Sequence, residues 1–483
     1  MAARYLTTTL PYVNADPHIG HALEFIEADF FARTARLIGE DVFLNVGTDE
    51  HGAKIAQKAE QEGKSPQAYV DEYAARFQTF ADRLDISYDA FTRTTNASHI
   101  AAAQEFWRRC ERAGDIYKAE YEIKYCVGCE LEKSDSELVN GHCVLHPTME
   151  IEIRKEENYY FRFSKYQNAL LEHYALQSDF VVPEGRMREI TSFVEAGLKD
   201  FSISRRKEKL AWGVPVPGDA DHVMYVWFDA LVNYISAIGW PTDEDTFTTW
   251  WPVTQFAGKD NLRQQSAMWQ AMLLSAGLPF SKQIFIHGFI TSGGQKMSKS
   301  IGNVINPLDL VEVYGSDAVR YILLRHMSPF EDSDLTLAAI FDHYTAHLSN
   351  GLGNLVARVM TLAEGYGIHP VALPEASDKL APAFVEAVTA FKFNEAMEYV
   401  FAIVRECDSF MATHTPYKYI KSENAAEREM AQKDILFLVE QLARIATHLV
   451  PAMPRTASLI QTAIRENKKP DNLFPRLSAP AGL

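Results

Sequence analysis

His18-Ile19-Gly20-His21 places two imidazoles three residues apart at the start of a predicted helix. A helix start presents unpaired N–H groups and the positive end of a dipole, so it favours phosphate. Gly20 carries no side chain, which lets a base or ribose approach the backbone closely. Histidines at this spacing share a helical turn, and both rings can donate to phosphate oxygens. A second group is Lys296-Met297-Ser298-Lys299-Ser300, inside a polar loop with Gly293, Gly294 and Gly302. Two ammonium groups on a glycine-flanked loop can close over polyphosphate and neutralise charge developing in a transition state. A third group is a pair of hooks, Cys126-Val127-Gly128-Cys129 and Cys143-Val144-Leu145-His146. Three thiolates and an imidazole suit tetrahedral Zn²⁺. His142 is a rival fourth ligand, but a donor directly beside Cys143 would strain the hook. Four protein ligands leave no open position, so a zinc ion here is expected to be structural. Cys110 and Cys407 read as plain core thiols.

These groups need a scaffold. Residues 4–10 are β-branched and aromatic and predict a strand. Leu23, Ile26, Phe30 and Leu37 follow at helical spacing, which predicts a helix over 19–38 ending at Gly39. Residues 41–46 predict a second strand. Strand, helix, strand is a βαβ unit, so the sheet should be parallel. Residues 115–222 change character: they hold the cysteine cluster and short Tyr-rich runs, and read as an insertion. From 223 the α/β pattern returns, and from about 340 the chain reads as all-helical. Amphipathic runs cover 385–412 and 426–450, and a proline-containing loop covers 369–383.

A chain of 483 residues should hold several domains. With 47% hydrophobic and 23% charged residues it is a globular protein, not a disordered, collagen-like or disulfide-scaffold one. No apolar run approaches the roughly 18 residues of a membrane span, so no membrane partner is expected. The net charge of −17 means that any nucleic-acid binding must rest on local positive charge. Five cysteines, an odd number, and an N-terminus without a signal or transit pattern point to a reducing, cytoplasmic setting.

HIGH and KMSKS together are the signature pair of the class I aminoacyl-tRNA synthetases, which this chain resembles letter for letter at both sites. Three further features resemble the methionine-specific family within that class. They are Tyr225-Val226-Trp227-Phe228-Asp229-Ala230 with Leu231, Asn233 and Tyr234; Gly47-Thr48-Asp49-Glu50-His51-Gly52; and the short, metal-hooked insertion. The relatives for isoleucine, valine and leucine carry a much larger editing insertion.

The resemblance implies an α/β fold: a Rossmann-type parallel-sheet catalytic domain with a zinc-knuckle insertion, then an all-α helical-bundle anticodon-binding domain. The expected boundaries are 1–114 and 223–290 for the two catalytic halves, 115–222 for the insertion, 291–343 for the KMSKS loop and stem-contact region, and 344–483 for the helical domain. It implies activation of L-methionine by ATP, with Mg²⁺, and transfer to initiator and elongator tRNA(Met). His18, His21, Lys296 and Lys299 would be catalytic. Gly20, Gly258, Lys259, Asp260 and Ser298 would join them around ATP. Leu10, Tyr12, Asp49, Arg205, Trp227, Leu231, Tyr234 and His287 would hold methionine, with Arg205 near Asp49. A thioether packs well on aromatic rings. Asn354, Arg358 and Tyr417 would read the anticodon; Tyr417 stands where the family usually has Trp and can still stack on a base. With no oligonucleotide-binding module after the helical domain, a monomer is expected.

Three rivals are weighed against this. A synthetase for another amino acid, such as cysteine, does not need the aromatic pocket set. A nucleotidylyltransferase shares H-x-G-H but lacks the long helical region. A silent tRNA-binding paralogue has no chemical reason to keep both signatures.

Overall fold

A computed structural model describes residues 3–129, 131–133, 137–297, 304–369 and 379–478, with backbone only at 121–123, 131, 132, 154–156 and 296. Strand β1 (Ala3–Thr7) pairs in parallel with β2 (Asp41–Thr48) on one side and with Val253–Gly258 on the other. The six-stranded sheet runs Ala90–Arg93, β2, β1, Val253–Gly258, Gln283–His287, Val181–Val182, all parallel. The strand order turns back at β1, so a crevice opens at the carboxyl ends of the central strands, where α/β folds bind ligands. HIGH follows β1 and Asp49 follows β2, which brings both to that crevice.

Helix α1 (Ile19–Leu37) connects the two strands. Ala22, Leu23, Phe25, Ile26 and Phe30 bury its inner face, and Gly39 turns the chain with φ +88°. The βαβ unit and the helix end are as the periodicity predicts. Strand β2 runs two residues further than its apolar stretch, to Thr48, because Gly47 passes very close to its neighbour. A Cβ built on Gly47 would lie 1.8 Å from the Thr92 carbonyl oxygen.

The insertion is built on an antiparallel hairpin, Ile116–Cys126 against Glu152–Phe161, with the cysteine hooks at its far end. Between 163 and 195 the chain leaves the hairpin. It forms the helices Gln167–Leu176 and Glu184–Glu195 and lays Val181–Val182 against Gln283–His287 as the edge of the main sheet. A two-residue strand has no periodicity to read.

From Leu337 onward the described residues are helical, as expected. The predicted run 385–412 is divided, however, into Pro382–Thr389 and Phe393–His414. Phe391 sits between them with φ +58°. Its ring lies flat on Phe285 of the sheet, centroids 4.7 Å apart, and against Phe31 at 5.4 Å. Aromatic burial of this size offsets the strain of a left-handed phenylalanine. That contact docks the helical half onto the sheet. No helix among the described residues is long and apolar enough to cross a membrane.

Candidate active site

A cavity of about 660 Å³ occupies the crevice. Its lining includes His18, Gly20 and His21, then Gly258, Asp260 and His287, and also Leu10, Tyr12, Asp49, Trp227, Leu231 and Tyr234. The structure thus brings together most of the residues predicted to touch ATP or methionine.

His18 caps α1 with a reciprocal pair of bonds: Gly20 N donates to His18 Nδ1 (3.1 Å), and His18 N donates to His21 Nδ1 (3.3 Å). Both Nδ1 atoms accept, so the proton on each neutral ring sits on Nε2. The two rings stack at 3.7 Å. Burial, then the neighbouring His18 and His287, hold His21 well below the usual histidine pKa. The pair therefore offers neutral N–H donors at the positive end of the helix dipole.

Glu24, one turn into α1, ties the helix to the chain that follows β1 and to the end of the strand Gln283–His287. Its Oε1 accepts from Thr9 N and Thr9 Oγ1, both at 2.6 Å, and its Oε2 lies 3.0 Å from His287 Nε2. His287 Nδ1 is 2.8 Å from the Gly288 carbonyl oxygen. Both His287 nitrogens face acceptors, so the ring is doubly protonated. Burial opposes that charge, but Glu24 holds the pKa up at about 9. Burial pushes the adjacent Glu27 up to about 8, which leaves it neutral at pH 7. Tyr234 Oη accepts from Gln265 Nε2 at 2.8 Å, which fixes the phenol in the pocket wall.

A buried triad lies behind the wall that carries Trp227 and Leu231. Asp229 lies between Trp227 and Leu231, on the short helix Val226–Ala230 and just past it. Its Oδ2 is 2.6 Å from His51 Nδ1, and its Oδ1 is 2.7 Å from His99 Nε2. His99 Nδ1 is in turn 3.0 Å from Ser236 Oγ. Burial raises a carboxyl pKa, but the two histidines hold Asp229 at about 2. His51 follows Asp49 by two residues, so one carboxylate joins the Asp49 loop to the helix bearing the aromatic pocket. His51 and Asp229 sit inside quoted motifs without a role; His99, Glu24 and Glu27 carry no sequence signal at all.

Other predicted residues stand elsewhere. Lys259 is set back from the cavity, its Nζ donating to Asp332 at 2.6 and 2.7 Å. Arg205 is also outside the cavity wall: it donates to Ser202 Oγ and Ser204 O at 2.7 Å and lies over the Tyr225 ring. Lys296 ends the hairpin Ile290–Ser292 and Gln295–Lys296, which turns at Gly293 and Gly294. Ser298 and Lys299 lie outside the described residues.

At the tip of the insertion, Cys126, Cys129, Cys143 and His146 converge, each donor atom within 4.8 Å of the others. Cys129 Sγ is 3.3 Å from Cys143 Sγ and 3.2 Å from His146 Nδ1. His142 instead turns to the Met149 carbonyl oxygen at 3.3 Å. Zn–S bonds of about 2.3 Å and Zn–N bonds of about 2.0 Å put tetrahedral donors roughly 3.5–3.8 Å apart, so this donor set fits zinc with small adjustments. Cys129 also lines the catalytic cavity. Chelation of the metal is therefore expected to unfold the knuckle and lower activity together. Loss of zinc by metal analysis with unchanged activity would separate the two.

On the helical half, Arg358 and Tyr417 line one groove of about 460 Å³ with Ala357, Thr361, Met411 and Lys469. Asn354 opens the same helix, Asn354–Gly365, one turn before Arg358. Tyr417 is 40% exposed, and Arg358 Nη1 reaches Asp408 Oδ1 at 3.3 Å.

Comparison with known proteins shows the family. The family model "tRNA synthetases class I (M)" matches residues 4–146 and 129–360. A methionine–tRNA ligase of Thermosynechococcus vestitus is 43% identical over 475 residues, covering 94% of this chain and 88% of that protein. One from Nostoc is 42% identical with the same coverage. The solved structure of Mycobacterium tuberculosis methionyl-tRNA synthetase in complex with methionyl-adenylate superposes with a TM-score of 0.89, at 35% identity, covering 99% of each chain. Sequence and fold together place the chain in the methionine–tRNA ligase family of the class I tRNA synthetases.

Proposed function

We propose that this chain activates L-methionine with ATP to methionyl-adenylate and then charges tRNA(Met), initiator and elongator, as a cytoplasmic monomer. The observation that carries the reading is one cavity lined both by the helix-start residues His18, Gly20 and His21 and by the aromatic and apolar Tyr12, Trp227, Leu231 and Tyr234.

ATP lies with its phosphates along His18, Gly20 and His21 and its ribose toward Gly258 and Asp260. Asp49 takes the methionine ammonium group. Trp227, Leu231 and Tyr234 pack the side chain, where a polarizable sulfur gains contact on the aromatic rings. The methionine carboxylate attacks the α-phosphorus, the bond to the β-phosphate oxygen breaks, and pyrophosphate leaves. No protein nucleophile is required; positioning and N–H donors aimed at the developing charge supply the acceleration. Mg²⁺ carried by ATP would offset polyphosphate charge. Lys296 and Lys299 are assigned to the departing phosphates. The 3′-terminal hydroxyl of the tRNA then attacks the aminoacyl carbonyl, and AMP departs. Arg358, Asn354 and Tyr417 are assigned to the anticodon, whose unstacked bases suit an aromatic and hydrogen-bonding groove.

The test is pyrophosphate exchange into ATP with each of the twenty amino acids, without tRNA. Methionine alone should support it. Exchange with a different amino acid would overturn the pocket assignment, and exchange with none would overturn the activation chemistry.

A further inference from the structure

Outside the cavity and the knuckle, the described residues bring one other set of metal-ligating side chains together: His326, His343 and His347. One ring nitrogen of each lies within 4.8 Å of the other two. His343 and His347 are four residues apart on a continuous helical stretch, from Leu337–His343 into the π-helical Tyr344–Gly353. That spacing puts two imidazoles on one helix face, as metal-binding helices do. Short π-helical segments inside α-helices are frequent at functional sites. The third ring comes from a different element. His326 is the last residue of Ser316–His326, whose carbonyl end favours a cation.

The chemistry of the set is that of a neutral ligand cage. The rings stack, with His326 and His343 centroids 3.6 Å apart and His326 and His347 5.3 Å apart. His347 Nδ1 is buried and has no hydrogen-bond partner. A buried nitrogen left unpaired in a native fold calls for a ligand or another explanation. His326 Nε2 lies 3.2 Å from Tyr321 Oη, a contact that an ion bound at that nitrogen would replace. The nearest fixed cation, Arg325, is already engaged by Glu398 and by Tyr321 Oη, both at 2.7 Å.

We propose that His326, His343 and His347 form a second metal site, for a divalent ion of the zinc, copper or nickel class, with a remaining position left to water. Imidazole ligands select that class, and three protein ligands leave coordination open. An ion about 2.0 Å from each nitrogen holds the nitrogens roughly 3.3 Å apart, so binding turns the stacked rings toward one another. All three rings are only half-buried, so this does not disturb the core. The bound ion would clamp the helix Ser316–His326 to the first helix of the C-terminal half.

The experiment uses the full chain with its knuckle loaded with zinc and excess metal removed. Co²⁺ is then titrated in by calorimetry while the absorption spectrum is recorded. One further equivalent is expected, with weak d–d bands and no thiolate charge-transfer band. H343Q and H347A should each weaken it at least about ten-fold, with unchanged circular dichroism and unchanged methionine-dependent exchange. Absence of a further equivalent, a thiolate band on it, or affinity unchanged in both variants would overturn the site.

Discussion

Arg320→Ala is expected to lower stability by about 3–5 kcal/mol, the cost of breaking a buried ion pair by removing one partner. Arg320 and Asp29 are both fully buried, and Arg320 Nη2 lies 2.6 Å from Asp29 Oδ2. The same guanidinium donates to three backbone carbonyls: Ala452 O at 2.7 Å, Pro451 O at 2.9 Å and Leu84 O at 3.1 Å. Asp29 belongs to α1, the helix that begins at HIGH, while Pro451 and Ala452 join the last two long helices, Ala425–Leu449 and Pro454–Glu466. One side chain therefore links the helix that begins at HIGH to the helical half. Burial opposes the charge on Asp29, but Arg320 and Arg33, with hydrogen bonds from Ser87, hold its carboxyl below the ordinary value. A depressed carboxyl contributes stability above its unfolded pKa and loses it as pH falls through the folded one. The deficit of the alanine variant should therefore be largest near neutrality and shrink in acid. Lysine should recover only part of it, since an ammonium cannot span the carboxylate and three carbonyls. Urea unfolding at several pH values measures this; a deficit under about 1 kcal/mol at pH 7 would mean that water reaches Asp29 and the pair acts as an exposed one.

What could be read before the structure was local. The β1–α1–β2 unit follows from helical spacing, a turn-rich start and Gly39, all within one stretch of chain. The knuckle follows from two hooks and the chemistry of their donors. The pocket needed the family resemblance, because Leu10, Asp49, Trp227 and His287 share no spacing that composition or periodicity connects. The groups that set the site's electrostatics were not legible at all. Glu24 and His287 are 263 residues apart in the chain, Asp229 and His51 are 178 apart, and Asp229 and His99 are 130 apart. Glu24 reads in the sequence as one more acidic helix residue, and only the sheet order brings it under His287. Phe391 is a similar case: nothing in the helical run marks the break that the stack on Phe285 imposes. The resemblance also assigns Lys259 and Arg205 to the ligands, and in the fold their cationic groups face Asp332 and the backbone around Ser204.

His21→Ala should reduce the rate constant of methionine-dependent pyrophosphate exchange by roughly 10²–10³, the usual effect of removing one donor aimed at transition-state charge. The ring is neutral and its Nδ1 is occupied by His18 N, so its contribution is an Nε2–H donor and not a positive charge. The substitution also removes half of the reciprocal cap on α1, which should cost only about 1 kcal/mol of stability. The two roles can be told apart. If His21 acts on the developing phosphate charge, the methionine dissociation constant, followed by the fluorescence of Trp227 in the pocket, stays within about two-fold while the rate falls. His21→Asn, which keeps a neutral N–H donor of shorter reach, should then regain part of the rate, and because the donor is uncharged the ratio of wild-type to variant rates should be flat from pH 6.5 to 8.5, roughly the range above the ordinary histidine pKa. If His21 only holds the helix start in place, alanine and asparagine should lose rate in proportion to their loss of stability, and methionine affinity should fall with it. A rate loss matched by an equal loss of methionine binding would remove His21 from the transition state and leave the phosphates to the helix dipole and His18.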